Sequence, residues 1–126
     1  MSIEPFIKSS DIKASLHFYG NILDFEVVQA PDPDPESVLS KYAFLKRGDG
    51  HIHISQHAGD GVFGNVIYVR VINLHELYNA FRKNGLKVQD KSGITMEPVA
   101  QTWGMEEFSV ADPDGNRIIF GQRIES

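Results

Sequence analysis

The two halves of this chain spell the same order of elements, and few folds accept such a repeat. Asp11-Ile12 opens one helical stretch and Asn73-Leu74 opens another, 62 positions later. Asp49-Gly50 precedes Ile52-His53-Ile54, and Asp114-Gly115 precedes Ile118-Ile119-Phe120, 66 positions later. Identity between the halves is low, so the match lies in order and spacing. Each half reads β-α-β-β-β, which predicts an α+β chain: one domain, 1–126, of two modules, about 1–58 and 65–126. With a helix on one face of each sheet, the opposite faces are free to curve around a cavity or cup.

The local signals fill in the elements. Ile3–Lys8 reads as a strand, and Ser10 or Asp11 can cap a helix whose face is Ile12, Leu16, Tyr19 and Leu23. Phe25–Ala30 reads as the next strand. Three prolines and the acidic residues of 31–37 then impose a surface loop. Tyr42–Lys46 and His51–His57 flank a hairpin at Arg47–Gly50, and in the second strand Ile52 and Ile54 alternate with His51 and His53. Gly59–Gly64 is a glycine-rich connection, either a linker or a flap. Val66–Ile72 is a β-branched strand. Asn73 with Glu76 has the spacing of a capping box, before an apolar face of Leu74, Leu77, Tyr78 and Phe81 and a stop at Asn84-Gly85. Leu86–Gln89, Met96–Ala100, Glu106–Ala111 and Arg117–Gly121 read as strands, and Asp112–Asn116 as turn chemistry alone.

Composition removes several functions. The 126 residues suffice for a real core, and 41% hydrophobic with 23% charged residues is ordinary for a globular protein. The absence of cysteine excludes disulfides, a thiolate zinc site and a thiol nucleophile, and is in keeping with a reducing cytoplasm. Met1–Ser10 lacks the apolar stretch of a signal peptide, and no run is long enough to span a bilayer. A net charge of −5 disfavours nucleic acid and mildly favours a cationic ligand. No nucleophile elbow or phosphate-binding glycine loop is present.

Specific words add to the repeat: Ser10-Asp11-Ile12 through His17-Phe18-Tyr19, Leu23-Asp24-Phe25, Trp103-Gly104-Met105-Glu106-Glu107-Phe108 and Asp112-Pro113-Asp114-Gly115-Asn116. In this order and spacing the chain resembles the glyoxalase/bleomycin-resistance/extradiol-dioxygenase superfamily, the vicinal oxygen chelate fold, over essentially its whole length. Leu74-His75-Glu76-Leu77-Tyr78, and Trp103 to Phe108 with one extra residue, resemble the bleomycin-resistance branch most. That resemblance implies a homodimer that sequesters a drug or similar small organic molecule without chemistry. It also implies possible exchange of the first strand around a proline such as Pro5.

Enzymes of the superfamily hold a divalent metal through four strand positions. Carried over here, these are Glu4, His53, Val66 and Ile119, and the two offsets of the repeat link Glu4 to Val66 and His53 to Ile119. Valine and isoleucine offer no donor atom, whereas a catalytic metal needs about three protein ligands. The expectation is therefore no cofactor, unless Glu107 or His51 supplies a further donor to a divalent ion.

If Glu4 faces the cup, strand alternation brings Phe6 and Lys8 with it; likewise Val66 brings Tyr68 and Arg70, His53 brings His51 and Ser55, and Ile119 brings Arg117 and Gly121. Glu107 and Ser109 join them. The predicted ligand-binding set is Trp103, Tyr68, Arg70, His53, Glu107 and Phe6, with Tyr68 and Trp103 as stacking surfaces. The alternative is a metal-dependent lyase or dioxygenase of the glyoxalase type; a third reading is an interaction module with an empty cup.

Overall fold

The computed structural model describes residues 1–88 and 95–125. Among the described residues, eight strands and two α-helices follow the predicted order: β1 Phe6–Lys8, α1 Ile12–Leu16, β2 Glu26–Gln29, β3 Tyr42–Arg47, β4 Gly50–Ser55, β5 Val66–Arg70, α2 Leu74–Lys83, β6 Met96–Ala100, β7 Met105–Ala111 and β8 Arg117–Arg123. They form two four-stranded sheets, β1-β4-β3-β2 and β5-β8-β7-β6. In each sheet the first strand runs parallel to the last, and the other pairs are antiparallel. Phe6 stands opposite His53 and Tyr68 opposite Ile119, so the sequence offsets of 62 and 66 are also those of the ladder. This is the α+β architecture expected from the repeat.

Asp11 caps α1, its Oδ1 accepting from the Lys13 and Ala14 N–H groups at 3.0 and 3.3 Å. From His17 to Ile22 the helix widens to π geometry, closed by the Leu23 N–H on the Phe18 carbonyl at 3.0 Å. The wider turn shifts the buried stripe, so Ser15 and Phe18 join Ile12, Tyr19 and Leu23 inside, while Leu16 is only partly buried. The capping box at Asn73 is not formed. Its side chain makes no cap bond, and Gln122 on β8 accepts the Leu74 N–H at 2.8 Å instead.

The stop at Gly85 is as predicted. Gly85 adopts a φ of 109°, its N–H bonds to Arg82 and the Leu86 N–H bonds to Phe81. Leu86 is thereby committed to closing α2 with its side chain buried. That explains why Leu86–Val88 form no strand, contrary to expectation; Gln89 lies outside the described residues. The first strand is also shorter than expected, beginning at Phe6 after Pro5, which has no N–H to give.

One core serves both sheets. It takes Ile7, Ala43, Leu45, Ile52 and Ile54 from the first, and Phe108, Val110, Ile118 and Phe120 from the second, with Tyr19, Leu23, Leu77 and Phe81 from the helical segments between. Phe108 stacks on Phe120 at 5.0 Å between ring centres, with Phe81 edge-on to both. The Arg47 guanidinium lies 5.9 Å from the Phe81 ring, tying the first hairpin to the second helix.

The Asp112–Asn116 segment does more than turn the chain. Asp112 is buried and accepts from the Tyr19 hydroxyl at 2.8 Å and from Asn116 Nδ2 at 2.8 Å. Asn116 Nδ2 also donates to the Lys8 carbonyl at 3.0 Å, and its Oδ1 accepts from the Asn65 N–H at 3.1 Å. The Ser10 N–H bonds to Asp114 at 3.0 Å. This turn therefore clasps one half of the chain to the other, a contact between residues about a hundred positions apart that a local reading cannot see.

Candidate functional site

The sides of the sheets that enter the core are fixed by Ile52, Ile54, Phe108, Val110, Ile118 and Phe120. Alternation turns the candidate residues to the opposite faces, away from that core. The two outward faces carry different chemistry.

On the first sheet, His53 is enclosed by neighbours. Phe6 stacks on it at 4.3 Å with rings 8° from parallel, and Phe44 lies 4.7 Å away, tilted by 39°. A carboxylate can only accept, so Nε2 carries the proton and donates to Glu4 Oε1 at 3.0 Å. Nδ1 then accepts from the Tyr42 hydroxyl at 2.6 Å. Burial first, and the Glu4 charge second, push the Tyr42 phenol pKa up, which keeps it a donor. His51, two residues back, stacks on Phe44 at 5.3 Å.

On the second sheet, β5 presents Val66, Tyr68 and Arg70, β8 presents Arg117, Ile119 and Gly121, and β7 presents Glu107 and Ser109. The Tyr68 hydroxyl donates to Glu107 Oε2 at 2.6 Å, and Trp103 Nε1 donates to the same oxygen at 3.2 Å. Burial, then the bond to Glu107 and its charge, push the Tyr68 pKa up to about 12, against a smaller lowering by Arg70. Tyr68 reaches Glu107 by crossing β8 above Gly121, where an added Cβ would stand 1.9 Å from the phenol oxygen. The Arg70 guanidinium lies 5.8 Å from the Tyr68 ring, and its Nη1 points to Met105 Sδ at 3.8 Å, rather than pairing with Glu4 or Glu107.

The six predicted ligand-binding residues thus fall into two groups. Phe6 and His53 meet on the first sheet; Tyr68, Arg70, Trp103 and Glu107 meet on the second. Among the described residues no hydrogen bond or ring contact joins the groups. A groove of about 1280 Å³ runs past the free edges of β1 and β5, lined in part by Ile3, Pro5, His51, Val66, Tyr68 and Arg70. Tyr42 and Phe44 were missing from the sequence set, and Gly121 was placed on this face without being read as an opening. A glycine inside a strand was the available signal for the last of these.

The donor set does not fit the superfamily's metal. Glu4 and His53 bond to each other, and their counterparts across the repeat, Val66 and Ile119, carry no donor atom. His51 stacks beside Phe44 and Glu107 belongs to the other sheet, so neither joins the pair. Among the described residues no three histidine, aspartate or glutamate side chains gather as a metal site.

The described helices include none long and apolar enough to cross a membrane. No curated protein matches the chain by sequence. Among solved structures it is similar to a bleomycin-binding protein complexed with bleomycin, at 24% identity, 98% of each chain covered and a TM-score of 0.75. A bleomycin resistance determinant encoded on the transposon Tn5 gives the same values. The bleomycin-binding protein of Streptomyces verticillus, complexed with copper(II)-bleomycin, is 20% identical over 100% of this chain and 97% of that one, with a TM-score of 0.71. At these identities the likeness establishes the fold. Residues 6–120 match the family model itself, and the chain belongs to the Glyoxalase/Bleomycin resistance protein/Dioxygenase superfamily.

Proposed function

We propose that this protein captures a small organic molecule and releases it unchanged, in the manner of the bleomycin-binding proteins whose fold it shares. The observation that carries this reading is the pair of outward faces, which are built of aromatic rings and lack a metal donor set. Phe6, Tyr68 and Trp103 remain 39%, 42% and 64% exposed, an aromatic surface suited to a planar ligand. Sequestration needs affinity, not transition-state complementarity, so it is indifferent to Val66 and Ile119 standing where ligands to a metal would be.

The working form in this reading is a homodimer. The two faces of one chain look away from a shared core, and a second copy would bring a first-sheet face against a second-sheet face to enclose the ligand. Sedimentation of the purified protein checks the assembly. Titration with metal-free bleomycin, followed through the fluorescence of Trp103, the only tryptophan, checks the binding. Saturable quenching at micromolar drug is expected. A stoichiometric divalent ion in protein purified without chelator, lost in His53→Ala, would instead support a lyase or dioxygenase.

A further inference from the structure

Glu4 and Glu107 both stand on the outward sides of the sheets, and the structure treats them differently. Glu4 receives the proton-bearing nitrogen of His53 and lies at the rim of the first sheet. Glu107 is only 8% exposed, and both of its donors, the Tyr68 hydroxyl and the Trp103 indole N–H, bond to Oε2. Its Oε1 takes no hydrogen bond among the described residues, and no lysine, arginine or histidine there forms an ion pair with it. Solvent still reaches Oε1, and the two neutral donors on Oε2 leave the charge of the carboxylate uncompensated. Arg70 is on the same face yet is held over the Tyr68 ring and toward Met105. The open approach is therefore from the side of Trp103, whose ring is the most exposed aromatic surface on this face.

We propose that the Trp103–Glu107–Tyr68 corner receives a positively charged group of the ligand, an ammonium, an amidinium or a quaternised heteroaromatic nitrogen. Glu107 is its counter-ion and the Trp103 ring its cation–π surface. The Tyr68 phenol, protonated throughout the physiological range, keeps the carboxylate oriented. The acidic chain adds a weak general attraction for cations. This assignment rests on the binding reading above and narrows the chemistry of what is bound.

The test compares N-methylquinolinium with quinoline, which has nearly the same shape and is neutral in neutral buffer, by quenching of Trp103. The cation should bind about tenfold tighter, an increment of about 1.4 kcal/mol. Glu107→Gln should bring the two probes to equal affinity. Tyr68→Phe retains the carboxylate without its tether and should retain a reduced preference, which separates the charge from its orientation. Equal affinity of wild-type protein for both probes would overturn the cation assignment alone. Quenching by neither would overturn the binding reading along with it.

Discussion

The two outward faces are the same scaffold used twice, and they differ in where their polar atoms are directed. On the first, Glu4, Tyr42 and the rings of Phe6 and Phe44 satisfy or cover both nitrogens and the ring of His53. On the second, Ile119 replaces the histidine, and Gly121 stands where the first sheet has Ser55. The missing side chains let Tyr68 lie across β8 to Glu107, leaving an aromatic corner with one carboxylate oxygen free. The difference leaves one face closed on itself and the other with an open aromatic corner, which is where we propose the ligand sits.

The contrast depends first on the clasp that fixes both sheets around one core. Asp112→Ala removes an acceptor of the Tyr19 hydroxyl, of Asn116 Nδ2 and of the Asp114 and Asn116 N–H groups, and should cost about 3 kcal/mol in chemical denaturation. Tyr19→Phe leaves Asn116 satisfied and should cost about 1 kcal/mol. Gly121→Ala acts on the open face alone. Its Cβ would displace the Tyr68 ring, so it should cost about 1–2 kcal/mol and weaken ligand binding, whereas Ser55→Ala on the first face should leave binding unchanged.

The smallest effect is spectroscopic. Tyr68 should ionise at about 12 in the folded protein, above the ordinary value of 10.0. A phenol raised in this way contributes stability that is complete below the unfolded value and is lost as pH climbs through the folded one. In Glu107→Gln the phenolate absorbance of this tyrosine should emerge at lower pH. It should not return all the way to the ordinary value, because burial is the largest cause of the shift. An unchanged alkaline titration would mean that Glu107 does not hold Tyr68 and would erase the distinction between the faces.

Much of this was legible in the chain. The repeat offsets recur in the ladder registers, and alternation in Ile52-His53-Ile54 and Ile67-Tyr68-Val69 assigned each side chain to its face, because both are local or periodic properties. The parts that escaped are those decided by distant partners. Gln122, 49 positions from Asn73 in sequence, holds the first turn of α2 by accepting the Leu74 N–H, while the Asn73 side chain makes no cap bond. The Asp-Pro-Asp-Gly-Asn segment reads as a turn until Tyr19 and Lys8 are seen against it. The division of the candidate residues into two sets follows from both sheets sharing one core, which no spacing encodes.

The central claim is that the open face binds an organic molecule without a metal and without altering it. Titration of chelator-treated protein with metal-free bleomycin, read by Trp103 quenching with the drug recovered and weighed by mass spectrometry, tests this most directly. The account predicts saturable quenching, indifferent to the chelator, and recovery of the drug at its original mass. Quenching that appears only on adding a divalent ion, or a changed mass of the recovered drug, would contradict it.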